Sequence, residues 1–119
     1  MVTPAAGAVV LVPFPFSDLS QAKLRPAVVL ADAGKDDWIL CQITSNPYGD
    51  LRAIQLTNPS FRSGALHKTS YARPGKLFTA NVSLMVTQVG SLTGEVLKDI
   101  VGAVIALMRA GLPEEPGDD

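Results

Sequence analysis

Apolar and polar positions along the chain fall into short blocks, and the spacing within each block changes once, near the C-terminus. Residues 7–13, inside GAVVLVPFPF, are apolar and β-branched and predict a first strand. Pro13 and Pro15 then demote the residues after that strand to an edge or a loop, because proline cannot donate to a ladder. SDLSQAKL, residues 17–24, is polar and unpatterned and reads as a loop of the kind that carries function. RPAVVLAD and DWILCQITS are continuous apolar runs separated by AGKD, a turn signal, so an antiparallel pair of core strands is expected at 26–31 and 37–44.

NPYGD is a turn cluster, LRAIQL (51–56) an alternating strand, and TNPSFRSGAL a longer connection punctuated by Pro and Gly. TSYARPGKLFTAN begins as a strand, breaks at Pro74-Gly75 and resumes, and LMVTQVG (84–90) predicts the last strand. The period then changes: apolar residues at 97, 100, 101, 104, 107 and 108 recur at helical spacing. Ser91 or Thr93 is the candidate N-cap, Arg109 falls in the last turn, and Gly111 lies past the end. That helix is apolar enough to pack on the sheet, although Gly94 and Gly102 each cost roughly 1 kcal/mol against Ala. Many short strands with one closing helix predict a small, strongly bent antiparallel sheet or barrel.

A chain of 119 residues, 47% hydrophobic, suits one domain over residues 1–112. The acidic, Pro-rich stretch 113–119 reads as a disordered tail. The apolar runs are interrupted well short of the roughly 20 residues a membrane span needs, and the N-terminus has no basic n-region, so no membrane partner and a cytoplasmic location are expected. The single cysteine, Cys41, sits in an apolar strand and reads as a buried structural thiol. With one histidine besides, no metal centre is expected, and no motif calls for a cofactor. The formal net charge of −1 averages over an uneven distribution: residues 23–76 hold eight Lys and Arg against four Asp, whereas residues 77–119 hold two against six acids. A basic middle section is a candidate surface for a polyanion.

The chemistry-bearing residues are few. No phosphate-binding glycine loop, HExxH helix, nucleophile elbow or pair of catalytic carboxylates is present. His67, in GALHKTS, reads as a surface or loop histidine. Arg25 is different, because Pro26 biases it towards extended geometry and the apolar strand behind it fixes its backbone. A guanidinium held at a strand end either engages a phosphate bidentately or pairs with Asp18 or another acid. Thr44, Ser45 and Asn46 close the neighbouring strand, where hydroxyls serve as phosphate donors or as turn caps. An antiparallel pairing of the two strands brings Arg25 and Thr44 within reach of each other.

Five segments, GAVVLVPFPF, KLRPAVVLA, WILCQITS, SYARPGKLFTAN and QVGSLT with its following helix, resemble the PemK/MazF family of type II toxin-antitoxin toxins in order and spacing. The resemblance spans roughly residues 7–110. It implies an SH3-like β-barrel of short antiparallel strands with a C-terminal helix, a homodimer, and a cognate antitoxin as partner. It further implies a metal-independent, sequence-specific endoribonuclease that cuts single-stranded mRNA by 2′-OH attack, leaving 2′,3′-cyclic phosphate and 5′-OH ends. The family's catalytic arginine falls on Arg25 and its catalytic threonine on Thr44, with Ser45 beside it. Two family positions are not matched: an acidic residue is replaced by Ser20, and a histidine by Leu24.

With that activity in view, Asp18 is a candidate proton acceptor if its loop closes over substrate. Phe14, Phe16, Tyr48 and Tyr71 are candidates for stacking on bases, with core packing the stronger reading for the two phenylalanines. Lys23, Asn46, Arg73 and Lys76 complete the expected RNA contacts. Two rival readings remain at this level: a toxin of the same fold that poisons a protein such as DNA gyrase, as CcdB does, and a catalytically silent homologue that only binds RNA or antitoxin.

Overall fold

The computed structural model describes residues 2–14 and 23–114. Seven strands, β1 (Ala8–Pro13), β2 (Leu24–Gly34), β3 (Asp37–Thr44), β4 (Ile54–Leu56), β5 (Phe61–Gly64), β6 (Ser70–Asn81) and β7 (Thr87–Leu92), precede one helix, α1 (Gly94–Ala110). They form a single antiparallel sheet in the order β4-β6-β3-β2-β1-β7-β5, bent into a nearly closed barrel. No helix among the described residues is long and apolar enough to cross a membrane.

The continuous apolar runs of β1, β2 and β3 have a direct cause: the sheet buries both faces. Val10, Ala27 and Leu40 point into one core with Met85 and Ala80, while Val9, Val28 and Cys41 point into the other with Ile43, Leu56 and Ile100. The ladders align these sets, since Val9 pairs with Val28 and Val28 with Cys41. Alternation along each strand therefore sorts residues between two apolar interiors rather than between core and water. The β2–β3 hairpin turns on Lys35 and Asp36, whose φ values of 56° and 65° are those of the two-residue turn that matches strand twist. Asp32 Oδ1 accepts from the Gly34 N–H at 2.7 Å, which starts the reversal.

Four elements differ from their predicted form, and β2 runs past both ends of the expected 26–31, from Leu24 to Gly34. The strand expected from 51 shortens to Ile54–Leu56, because the Asp50 carboxylate accepts from the Arg52 N–H at 2.9 Å and holds residues 50–53 in a turn, leaving Leu51 fully exposed. The connection after it contains a 3₁₀ turn, Asn58–Ser60, and the strand β5, which pairs with the sequence-distant β7. The expected break at Pro74-Gly75 is a bulge inside one long strand. Cys41 pairs with Leu77 and Ile43 with Ala72, so residues 73–76 oppose Gln42 alone, and Pro74 sits where no ladder donor is required. The last strand starts later than expected, after a 3₁₀ turn at Val82–Leu84 capped by Asn81, whose side chain accepts from the Ser83 N–H at 3.1 Å.

Thr93 rather than Ser91 caps α1, its hydroxyl accepting from the Val96 N–H at 3.3 Å, while Ser91 belongs to β7. The helix packs on the sheet through Ile100, its one fully buried residue, flanked by Val96. Ile105 and Met108 on the same helix stay exposed. Phe14 is buried edge-to-face against Phe78 at 5.7 Å, which bears out core packing for that ring. Phe16, Asp18, Ser20 and the end of the acidic tail (115–119) lie outside the described residues.

Candidate active site

The β1–β2 ladder sets Arg25 opposite Val12 at the start of β2, so its backbone is held by a buried neighbour while its side chain is exposed. The β2–β3 ladder pairs Ala27 with Gln42, and the same register carried two residues further sets Arg25 opposite Thr44. Both residues line a cleft of about 250 Å³ whose floor includes Pro26 and Ile43 and whose rim includes Ser45. The two groups expected to meet are thus on one wall of one cavity. Among the described residues the ion pair found is Arg73 with Asp50, and Arg25 has no acidic partner there.

Thr44 is half-buried, and its Oγ1 accepts a hydrogen bond from the Asn46 N–H at 3.2 Å. A hydroxyl carries one donor besides its lone pairs, so this bond fixes the oxygen and leaves the O–H hydrogen to donate into the cleft. The chain leaves the site through a series of such local turns. Asn46 Oδ1 accepts from the Tyr48 N–H at 2.9 Å, and Tyr48 and Gly49 both take positive φ. Turn capping and ligand donation are therefore compatible roles for Thr44.

Arg73 occupies a different place. Its Nε donates to Asp50 Oδ2 at 3.0 Å, and its guanidinium lies 5.7 Å from the centre of the Tyr48 ring. The Arg52 N–H and then the Arg73 side chain hold the Asp50 carboxyl below the usual carboxylate range. Arg73 and Tyr48 thus form a cluster that fastens the 46–52 loop, apart from the residues lining the Arg25 cleft. Tyr71 is half-buried on β6 as the ladder partner of Thr44, Lys23 is exposed just before β2, and Lys76 is half-buried at the end of the bulge.

Sequence reasoning left His67 as a loop residue, yet His67 and Lys68 line the Arg25–Thr44 cleft together with Leu66 and Ser70. The β5–β6 connection brings them there, and its course depends on how closely β5 approaches β7. A Cβ on Gly64 would stand 2.2 Å from the Val89 carbonyl oxygen, and one on Gly90 would stand 2.7 Å from that of Ser63. Gly64 also has φ +68°. These two glycines let β5 lie against β7, and the chain then returns over the open ends of β2 and β3. The Gly64 in FRSGAL was the available signal, but the strand it serves pairs with residues more than twenty positions away.

Arg25 and Lys68 give the cleft a cationic lining beside the His67 imidazole, and no acidic side chain among the described residues lines it. Cys41, by contrast, is buried under β6; its Sγ donates to the Arg73 carbonyl at 3.1 Å, and burial pushes the thiol up to about 12. It is a packed thiol rather than a nucleophile. No group of three or more metal-ligating side chains occurs among the described residues.

A model of the PemK-like, MazF-like toxins of type II toxin-antitoxin systems matches residues 5–108. The chain belongs to that family. Several solved structures share the fold of this PemK/MazF-family chain. A MazE-MazF complex from Deinococcus radiodurans aligns with TM-score 0.71 at 19% identity, covering 89% of this chain and 96% of that one. An endoribonuclease with its cognate antitoxin from a mycobacterial species gives 0.67 at 16% identity, covering 97% and 100%. The Mycobacterium tuberculosis toxin MazF-mt6 gives 0.67 at 14% identity, covering 86% and 96%. No curated protein matches the sequence significantly.

Proposed function

We propose that this PemK/MazF-family toxin is an endoribonuclease that cuts single-stranded RNA in the Arg25–Thr44 cleft. The observation that carries the reading is the cleft itself: a guanidinium without an acidic partner among the described residues and a positioned hydroxyl, on one cation-lined wall. In the reaction the ribose 2′-oxygen attacks the adjacent phosphorus, the P–O5′ bond breaks, and a 2′,3′-cyclic phosphate and a 5′-OH result. Negative charge grows on the non-bridging oxygens as the phosphorane forms. Arg25 meets that charge with two N–H donors, and the Thr44 hydroxyl supplies a third. An arginine is a poor general base because it stays protonated, so proton transfer falls to other groups. Asp18 is the candidate acceptor for the 2′-OH proton, and His67, in the cleft, is the candidate donor to the leaving 5′-oxygen. DNA, without the 2′-hydroxyl, is inert in this scheme.

Ser45, Asn46, Lys23 and Tyr71 border the cleft or its strands and contribute RNA contacts in this reading, while Tyr48, Arg73 and Lys76 contribute from farther along the loop and β6. A cognate antitoxin is the expected protein partner, in keeping with the antitoxin complexes among the solved relatives. Homodimerisation would cover the apolar groove of about 220 Å³ between α1 and the sheet, formed around Leu30, Ile39, Leu77, Val104 and Met108. The site of action in this reading is the cytoplasm, where mRNA is translated.

The test is incubation of wild-type, Arg25→Ala and Thr44→Ala proteins with a long single-stranded RNA in EDTA, with the cut ends mapped. Cuts with 5′-OH ends that each variant slows by about 10²–10³-fold are expected, the usual cost of one transition-state donor. Intact RNA with the wild-type protein would overturn the reading and favour a protein target or a silent binder.

A further inference from the structure

A second cleft, of about 190 Å³, opens on the far side of His67 and Lys68, which line both cavities. Leu56, Phe61 and Leu66 give it an apolar patch, Leu56 buried and the other two half-buried, within a lining that is otherwise polar. Its polar lining comes from Thr57, Asn58 and Thr69 together with His67 and Lys68. The Asn58 side chain is exposed and has no hydrogen-bond partner among the described residues, so its amide offers a donor pair and an acceptor to whatever enters.

The segment that presents Asn58 is held rigidly. Ser60 Oγ accepts from the Thr57 N–H at 3.0 Å, the Ser60 N–H donates to the Thr57 carbonyl at 2.9 Å, and the Thr93 N–H donates to the Ser60 carbonyl at 2.9 Å. Pro59 fixes one more backbone angle. The braced turn fixes the position of the Asn58 backbone, so its exposed amide, without a hydrogen-bond partner among the described residues, is presented at the cleft from a fixed point.

We infer that this second cleft takes the unpaired base of a nucleotide flanking the scissile phosphate, and that Asn58 reads its edge. Single-stranded RNA is recognised through splayed bases that rest on apolar or aromatic surfaces and hydrogen-bond along an exposed edge, which is the combination of apolar patch and polar lining found here. The cavity is below the ~300–1,000 Å³ of pockets that enclose drug-sized ligands, a size suited to one ring system. The shared wall couples the two cavities: Lys68 and His67 stand where the backbone linking the base to the scissile phosphate must pass. Asn58 is thus a specificity residue for the ribonuclease proposed above, and the inference rests on that reading for its biological sense.

The experiment has two arms. In the first, wild-type, Asn58→Ala and Asn58→Asp proteins cut a randomised RNA pool, and cut sites are sequenced. The expected result is a preference at one position near the cut that Asn58→Ala relaxes by about tenfold or more, in line with the discrimination carried by a side chain on a base edge. Asn58→Asp, which exchanges donors for an acceptor, changes which base is preferred. Identical profiles for all three proteins overturn the inference while leaving the ribonuclease intact.

The second arm needs no cleavage. NMR of the wild-type protein is recorded with each of the four nucleoside monophosphates and with inorganic phosphate. A base-dependent shift of the Asn58 side-chain amide supports the base site even if no RNA is cut, in which case only the ribonuclease reading falls. The same Asn58 shift with phosphate alone, or none with any nucleotide, overturns it.

Discussion

Raising the pH from 7.5 to 10 should cost the native state roughly 1–2 kcal/mol through the Cys41 thiol. Cys41 is wholly buried on β3, in the core that also holds Val9, Val28 and Ile43, and its Sγ–H donates to the Arg73 carbonyl at the β6 bulge. Burial disfavours the thiolate and pushes the thiol from 9.0 up to about 12. The folded-state value is the raised one, so its contribution is fully present below pH 9 and is lost as pH rises towards 12. At pH 10 the unfolded chain has largely released this proton and the folded chain has kept it, which gives the roughly 1–2 kcal/mol above.

The perturbation that isolates the effect is Cys41→Ala. It removes a packed sulfur and lowers stability at every pH, but it also removes the titration. Urea unfolding of both proteins at pH 7.5 and pH 10, followed by the fluorescence of Trp38, reads the two declines. Lysine and tyrosine ionisation affects both proteins alike and cancels in the difference. The wild type should lose roughly 1–2 kcal/mol more than the variant over this interval. Parallel declines would refute the argument, as would rapid modification of Cys41 in the native protein by a thiol reagent at pH 8.

Gly90→Ala should destabilise by about 1–3 kcal/mol, because its Cβ would meet the Ser63 carbonyl oxygen at 2.7 Å and the Phe61 ring at 2.9 Å. It should also slow the RNA cleavage proposed above, by displacing the connection that carries His67. Gly102→Ala, where nothing lies within 4 Å, should instead raise stability by up to about 1 kcal/mol in the same urea experiment. Thr93→Ala removes the acceptor for the Val96 N–H and should cost about 1 kcal/mol, seen as a lower thermal midpoint by circular dichroism. Asp50→Ala should cost no more than about 1 kcal/mol at pH 7, and the gap from wild type should close as pH falls. Asp50 has a depressed pKa, so its contribution exists above the ordinary carboxylate value and disappears as pH falls through the folded one. A gap independent of pH in thermal melts would contradict that account.

What the sequence determined was local. The runs in β1, β2 and β3 were legible because a strand buried on both faces is apolar at every position, and the hairpin at Lys35 and Asp36 is announced by Gly34 and its charged neighbours. The helix was legible from its period and from Thr93. Even the meeting of Arg25 and Thr44 followed from two adjacent strands and one tight turn, since an antiparallel register fixes which ends lie side by side. Each of these depends on residues close together in the chain.

Only the tertiary structure decided the rest. β5 is four residues long, and its partner β7 lies far along the chain, so no periodicity within FRSG marks it as a strand. The close approach of Gly64 and Gly90 sets the path of residues 65–69, and with it the arrival of His67 and Lys68 beside Arg25. Arg73 read as a further phosphate contact after Arg25, but a turn two strands away in the chain supplied Asp50 as its partner. Charge can be read from composition, whereas whether a charge is paired depends on non-local geometry, because an ion pair needs its partner within about 4 Å and chain separation says nothing about that distance.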